Sequence, residues 1–137
     1  MTPVDIESFD AVTVCNAGFE FELKGTDGIT GCGVIVTVFG KHSDRVSKWF
    51  NAEINKNTMA FEMAKKKGKT VEPKSMEEQS EKNIEATVIR VAGWSNVSTE
   101  YTAEAMARAL RRNPHWIEQI VNESENLGNF TARPSAS

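Results

Sequence analysis

Apolar and polar residues alternate near the N-terminus and predict a β-hairpin within residues 18–40. The first strand has an apolar side chain at every second position: Phe19, Phe21 and Leu23. Asp27-Gly28 is typical of a tight turn, and the β-branched residues that come later favour a return strand. Gly31 and Gly33 indicate a bulge at the start of that strand.

Beyond residue 40 the apolar residues recur every three or four positions, which predicts about four α-helices. The expected ranges are 44–67, 76–92, 103–112 and 114–126. The side chains expected to cap these helices are Ser43, Ser75, Thr102 and Asn113, the last with Pro114 as the first helical residue. The apolar stripe of the second helix includes Val88, Val91 and Trp94, so Gly93 is expected to end or bend that helix.

This order of elements predicts an α+β fold, mainly helical, with an N-terminal antiparallel β-hairpin followed by about four α-helices. We expect a single domain over residues 18–130, because the length suits one hydrophobic core. Residues 1–17 show no clear period and are expected to form an irregular arm. Residues 131–137 are polar and are expected to form a flexible tail.

Composition restricts the classes of partner. Hydrophobic residues make up 39% and charged residues 26% of the 137 residues, which is typical of a soluble domain. The formal net charge of −3 does not favour binding to nucleic acid. No apolar run approaches the roughly 20 residues that span a bilayer, and the acidic N-terminus does not resemble a secretory signal. We therefore expect a protein that stays in the cytosol with reduced thiols at Cys15 and Cys32.

The residue types that carry catalysis are present without the spacing that catalysis needs. Metal-binding side chains occur as isolated residues, namely Cys15, Cys32, His42 and His115. His42, Ser43 and Asp44 are adjacent, and a helix cap explains them better than a catalytic triad. The glycines form no phosphate-binding loop, and the carboxylates follow one solvated helical tract: Glu77, Glu78, Glu81 and Glu85. We therefore expect that this chain is not an enzyme and that it binds no cofactor, metal ion or small-molecule substrate.

The basic run at residues 65–69 leaves one competing interpretation open. A nucleic-acid-binding regulator would use such lysines, and its affinity would fall steeply with salt. No aromatic residues are interleaved for base stacking, so helix-end charges followed by a solvated linker explain the run more simply. A hydrolase whose site is assembled only in space is a further, weaker alternative.

Several short motifs occur in an order that resembles the tail assembly chaperones of long, non-contractile-tailed (lambda-like) bacteriophages. Residues 89–97, IRVAGWSNV, contain a Gly-Trp pair and precede Tyr101-Thr102 at the start of an alanine-rich helix. Asn113-Pro114 leads into HWIEQIV, and Asn129-Phe130 lies near the end of the chain. The hairpin that ends in Val38-Phe39-Gly40-Lys41 is also similar to the opening of those proteins. Residues 1–17 match nothing in that pattern.

The resemblance implies a function without turnover. Such a chaperone binds the tape measure protein, keeps it soluble and helps to recruit tail tube protein during assembly. It implies the host cytoplasm as the location, absence from the mature virion, a homo-oligomer, and in many cases a frameshifted longer form of the same chain. The alternative within the same setting is a minor structural virion protein, either a tail tube or a head–tail connector subunit.

A chaperone of a helical client needs exposed apolar surface, so the large aromatic residues are the candidate protein-binding residues. We expect the contacts to come from four side chains: Trp94, Phe130, Trp49 and Trp116. Trp94 follows a glycine at the expected end of a helix, and Phe130 lies beyond the last helix. Burial in the core is the competing explanation for each of them.

Overall fold

The computed structural model describes residues 3–131, which form five α-helices and a three-stranded antiparallel sheet. In chain order the elements are α1 (Ala11–Ala17), β1 (Phe19–Lys24), β2 (Gly31–Val38), α2 (Asp44–Lys66), α3 (Met76–Ile89), β3 (Val91–Ser95), α4 (Ala103–Arg112) and α5 (His115–Glu125). Short 3₁₀ turns occur at Ile6–Ser8 and Leu127–Phe130. The predicted α+β class and the N-terminal hairpin are confirmed.

The hairpin pairs Phe19 with Val38 and has an irregular register near its turn. Strand β2 carries additional residues between Gly31 and Ile35, and Gly33 has a φ of 89° within that stretch. This confirms the predicted bulge, since a side chain is disfavoured at such a φ. In the turn, Asp27 accepts hydrogen bonds from Thr30 and Ile29, which lower the pKa of its carboxyl to about 2.

The sheet has a third strand that the apolar periodicity did not predict. Helix α3 ends at Ile89, where a helix over 76–92 was expected, and residues 91–95 pair with β2 as strand β3. Val36 lies opposite Trp94 in this antiparallel ladder. Val88, Val91 and Trp94 do have helical spacing, but β2 needs a second hydrogen-bonding partner, and this long-range pairing overrides the local pattern.

Two further boundaries differ from the expected ones. Residues 11–17, expected to be irregular, form α1, because the Asp10 side chain caps the helix by accepting from the N–H of Thr13. Asn113 was expected to cap α5, but it closes α4, where its backbone N–H and its Nδ2 donate to the carbonyl of Ala109. Of the expected tail, only residue 131 lies within the described residues.

The core lies between one face of the sheet and helices α3, α4 and α5. Because directly opposite residues of a ladder share a face, Phe21, Val36 and Trp94 form a row across the three strands. The helices cover this row with side chains that are fully buried, including Met106, Leu110 and Ile120. Ser43, Ser75 and Thr102 cap α2, α3 and α4 as predicted, each accepting from the N–H three residues later.

The contact between Gly40 and Cys15 joins α1 to the end of the hairpin and gives a first prediction. A Cβ at residue 40 would overlap the Cys15 side chain and lie 3.2 Å from its Cα. We expect Gly40→Ala to lower the free energy of unfolding by about 1–3 kcal/mol, as overpacked cores do, in urea denaturation. Adding Cys15→Ala should restore part of the loss. Gly31→Ala is the control, because there the Cβ would meet only the exposed carboxylate end of Glu22, which can move aside with loss of its hydrogen bond to the N–H of Gly33. Equal losses in both glycine variants would contradict the prediction.

Candidate protein-binding surfaces

The second half of α2 has little cover from the rest of the chain. Val46 is the buried residue of this 23-residue helix, and every residue from 54 to 63 is exposed. We call residues 54–63 the outer segment of α2. Its four large apolar side chains are all more than half exposed: Ile54 60%, Met59 63%, Phe61 62% and Met63 55%. Apolar groups concentrated in this way mark a site of protein contact more often than scattered ones do.

The apolar residues of the outer segment lie on two faces of the helix. Ile54 and Phe61 are about two turns apart and continue the line of the half-buried Phe50. Met59 and Met63 are about one turn apart on another face. Two faces can contact either two segments of a partner or one partner that wraps around the helix. Methionine suits such a surface, because its flexible side chain adapts to differently shaped partners.

A groove of about 510 Å³ lies between α3 and α4. Its apolar side chains are Ile84, Val88, Ala103 and Ala107, and charged residues line its rim. Lys82 connects the groove to α2, because its Nζ lies 3.1 Å from Oε1 of Glu53 and 3.5 Å from Oε2 of Glu85. The hydrogen bond between Lys82 and Glu53 lowers the pKa of the carboxyl and raises that of the amine, so both groups are charged near neutral pH. We call this feature the α3–α4 groove.

A second concave surface lies where the hairpin meets α4 and α5. This cleft of about 380 Å³ has buried Leu23 and Met106 at its base, and Trp94 and Trp116 line it. Arg108 and Arg112 also line it, one helical turn apart and exposed. Within residues 3–131 neither guanidinium forms a salt bridge or a side-chain hydrogen bond. We call it the tryptophan cleft.

The structure brings two of the four predicted protein-binding residues together. Trp94 and Trp116 share the tryptophan cleft, and their indole N–H groups donate to the carbonyls of Thr99 (2.9 Å) and Lys24 (3.0 Å). Trp94 lies in a strand, so its expected position at a helix end is wrong. Its ring packs edge-on against Tyr101, whose hydroxyl pKa is raised by burial.

The other two predicted residues lie elsewhere. Trp49 is half-buried between α2 and α3, where its indole donates to Glu85 (3.3 Å) and its ring packs edge-on against Phe50. Phe130 is only 5% exposed and packs edge-on against Phe19, so its side chain belongs to the core. A sequence pattern cannot distinguish such a core aromatic from a surface one when it follows the last helix.

Several surface residues were not among the predicted ones. The sequence had a signal for Arg108 and Arg112, since two arginines four residues apart lie on the same face of a helix. Ile54, Met59 and Met63 gave no such signal, because their exposure depends on where α3 packs along α2.

Two of the polar residues weighed as catalytic candidates, Ser43 and Glu81, have structural partners. Ser43 Oγ accepts from the N–H of Val46 as the α2 cap. Glu81 pairs with Arg111 at 2.9 Å, and this hydrogen bond lowers the pKa of the Glu81 carboxyl. Cys15 is buried and Cys32 is exposed, and they are not bonded to each other. Across residues 3–131, no three His, Cys, Asp or Glu side chains are grouped closely enough to hold a metal ion.

No helix in the described part of the chain combines the length and the apolar character needed to cross a bilayer. Comparison of the whole chain with protein-family models, with curated proteins and with solved structures finds no match.

Proposed function

We propose that this chain is a tail assembly chaperone of a long-tailed bacteriophage. It binds the tape measure protein in the host cytoplasm, keeps that helical client soluble and helps to recruit tail tube subunits around it. It makes and breaks no covalent bond, and it is absent from the finished virion. The observation that carries this proposal is the outer segment of α2, where four large apolar side chains are each more than half exposed.

The outer segment has the chemistry that an amphipathic helical client requires. An exposed helix face with apolar residues two turns apart can pair with the apolar stripe of a second helix. The α3–α4 groove adds a concave apolar surface on the neighbouring helices, with acidic and basic residues on its rim. A client helix that covers Ile54 and Phe61 removes from water the apolar area that this chain leaves uncovered.

The motifs that carry the resemblance have a separate role, because most of them stabilise the fold. Trp94 packs on Tyr101, and Asn129 Nδ2 donates to the carbonyl (3.0 Å) and to Oε2 (2.6 Å) of Glu123. Phe130 fills the core beside Phe19. These contacts support the interpretation that the motifs resemble those of tail assembly chaperones because they stabilise a similar fold. None of them involves the outer segment of α2, whose side chains are therefore free to match a particular client.

Co-expression with the tape measure protein encoded by the same phage tests the proposal. We expect the client to move from the insoluble to the soluble fraction and to co-purify with this chain. A client that remains insoluble and does not co-purify would refute the chaperone function. Mass spectrometry of purified virions is the second measurement, since abundant copies of this chain in the particle would favour a structural subunit instead.

A further inference from the structure

The N-terminal residues 3–10 expose apolar side chains that nothing in the chain covers. Val4, Ile6 and Phe9 are 73%, 81% and 71% exposed. Ile6 and Phe9 are three residues apart about a 3₁₀ turn, where side chains at this spacing project to the same side. We call residues 3–10 the N-terminal arm. Isolated exposed apolar residues are common, but a cluster of three in eight residues indicates a contact surface.

The arm is also acidic. Asp5, Glu7 and Asp10 alternate with the apolar residues, and no lysine or arginine occurs from residue 3 to residue 23. A partner surface for the arm therefore needs an apolar pocket for an aromatic side chain and free cationic groups at its edge.

The tryptophan cleft has both properties. It offers an apolar base and two indole walls, and Arg108 and Arg112 lie at its edge without an acidic partner in the part of the chain that the structure describes. The α3–α4 groove is a poorer match for an acidic segment, because Glu78, Glu81, Glu85 and Glu104 line it. Charge complementarity thus assigns the arm to the cleft.

Within one chain the N-terminal arm does not line the tryptophan cleft. Helix α1, which carries the arm, is anchored next to Phe19, where Cys15 packs on Gly40 and Asn16 hydrogen-bonds to Asp44. The cleft lies at the Leu23 end of the same strand, roughly 13 Å further along. Phe9 is 71% exposed and so does not occupy the cleft of its own chain, which favours a cleft on another molecule as the acceptor.

We propose that the N-terminal arm of one copy docks in the tryptophan cleft of a second copy, with Phe9 between the indoles of Trp94 and Trp116 and with Asp5 and Glu7 facing Arg108 and Arg112. Since donor and acceptor are different surfaces, addition can continue beyond a dimer. The inference goes beyond client binding and does not depend on it, because the arm and the cleft both belong to this chain.

Sedimentation velocity of the full chain over a range of concentrations at low salt tests the docking. We expect wild-type chain to self-associate and the association to weaken as salt is raised. Phe9→Ala should raise the dissociation constant by about tenfold or more, since an aromatic anchor at the centre of a contact commonly contributes more than 1.4 kcal/mol. Phe9 is exposed, so this variant leaves the fold intact.

A charge exchange separates docking from indirect effects. Arg108→Glu with Arg112→Glu should weaken self-association as Phe9→Ala does, and so should Asp5→Arg with Glu7→Arg. The fourfold variant that combines them should restore association. Lys48→Glu with Lys69→Glu is the control, since it changes net charge equally at exposed lysines outside the cleft.

Three results would overturn the proposal. The first is a wild-type chain that remains monomeric at every concentration. The second is self-association that Phe9→Ala and the arginine variant both leave unchanged. The third is a tryptophan emission change in Phe9→Ala that does not depend on concentration, which would place the arm in the cleft of its own chain.

Discussion

Under the proposed function, Ile54→Glu with Phe61→Glu is expected to abolish solubilisation of the tape measure protein without unfolding this chain. Each large apolar side chain that leaves water contributes about 1.5–3 kcal/mol, so losing two corresponds to an affinity at least about 100-fold lower. A buried glutamate carries a further desolvation cost. Both residues are about 60% exposed in the free chain, so the free energy of unfolding should change by less than about 0.5 kcal/mol per site.

The measurement is the soluble fraction of co-expressed client, with urea denaturation of each variant as the check on folding. Thr26→Glu with Ile29→Glu is the matched control, because it adds the same charge in an exposed turn and removes an isoleucine that is 81% exposed. The control should solubilise the client like the wild type. If the α2 variant also does so, the client contacts another surface and the outer segment is not the binding site.

A charged substitution in the α3–α4 groove should also reduce solubilisation of the client, but by less than the α2 pair does. Ala107→Glu places a carboxylate on the groove wall beside Val88 and Ile84. We expect a smaller loss of client solubility than for the α2 pair, since a shallow groove contributes less apolar area than a helix face. A variant that folds and solubilises the client fully would restrict the client contact to α2.

The starts of α2, α3 and α4 were predicted well because a cap is local chemistry. Ser43, Ser75 and Thr102 each satisfy the N–H three residues later, and this requires nothing from the rest of the chain. The same rule would have found α1 through Asp10 and Thr13, had the short apolar segment after them been given weight. Strand β3 could not be found in this way, because its partners on β2 lie more than 50 residues earlier in the chain.

The exposed surfaces that are candidates for binding were predicted only in part, for a related reason. The aromatic residues identify groups that can bind, but exposure depends on tertiary packing. Trp94 and Trp116 meet because β3 adds to the sheet and α5 packs on β1, and neither event is visible in the local sequence. Phe61 is exposed because the loop after α2 returns the chain to α3 without covering the outer segment.

The largest loss of stability is expected from Arg90, a buried cation at the junction of three elements. The residue is 5% exposed, and its two terminal nitrogens donate to Ser124 Oγ (2.9 Å) and Glu125 Oε1 (2.8 Å) of α5. Its guanidinium lies 5.2 Å from the centre of the Phe50 ring on α2, and its carbonyl accepts from the N–H of Phe39 after β2. One side chain thus links α2 and α5 at the point where α3 passes into β3.

We expect Arg90→Ala to lower the free energy of unfolding by about 3–4 kcal/mol, from two charge-assisted hydrogen bonds, the cation–π contact and the packing of the side-chain stem. This loss of stability is smaller than the loss on removing one member of a fully buried ion pair. The Glu125 side chain that remains is 44% exposed, so water can solvate it. Arg90→Met keeps the stem and should recover about half, whereas Arg90→Lys keeps the charge but cannot donate to both partners in the same geometry. Urea denaturation of the three variants separates the contributions of the hydrogen bonds, the positive charge and the packed stem of Arg90. If alanine costs less than about 1 kcal/mol, Arg90 does not hold α2 and α5 together, and the position of α2 depends on its other contacts, such as those of Glu53 with Lys82 and of Asp44 with Asn16.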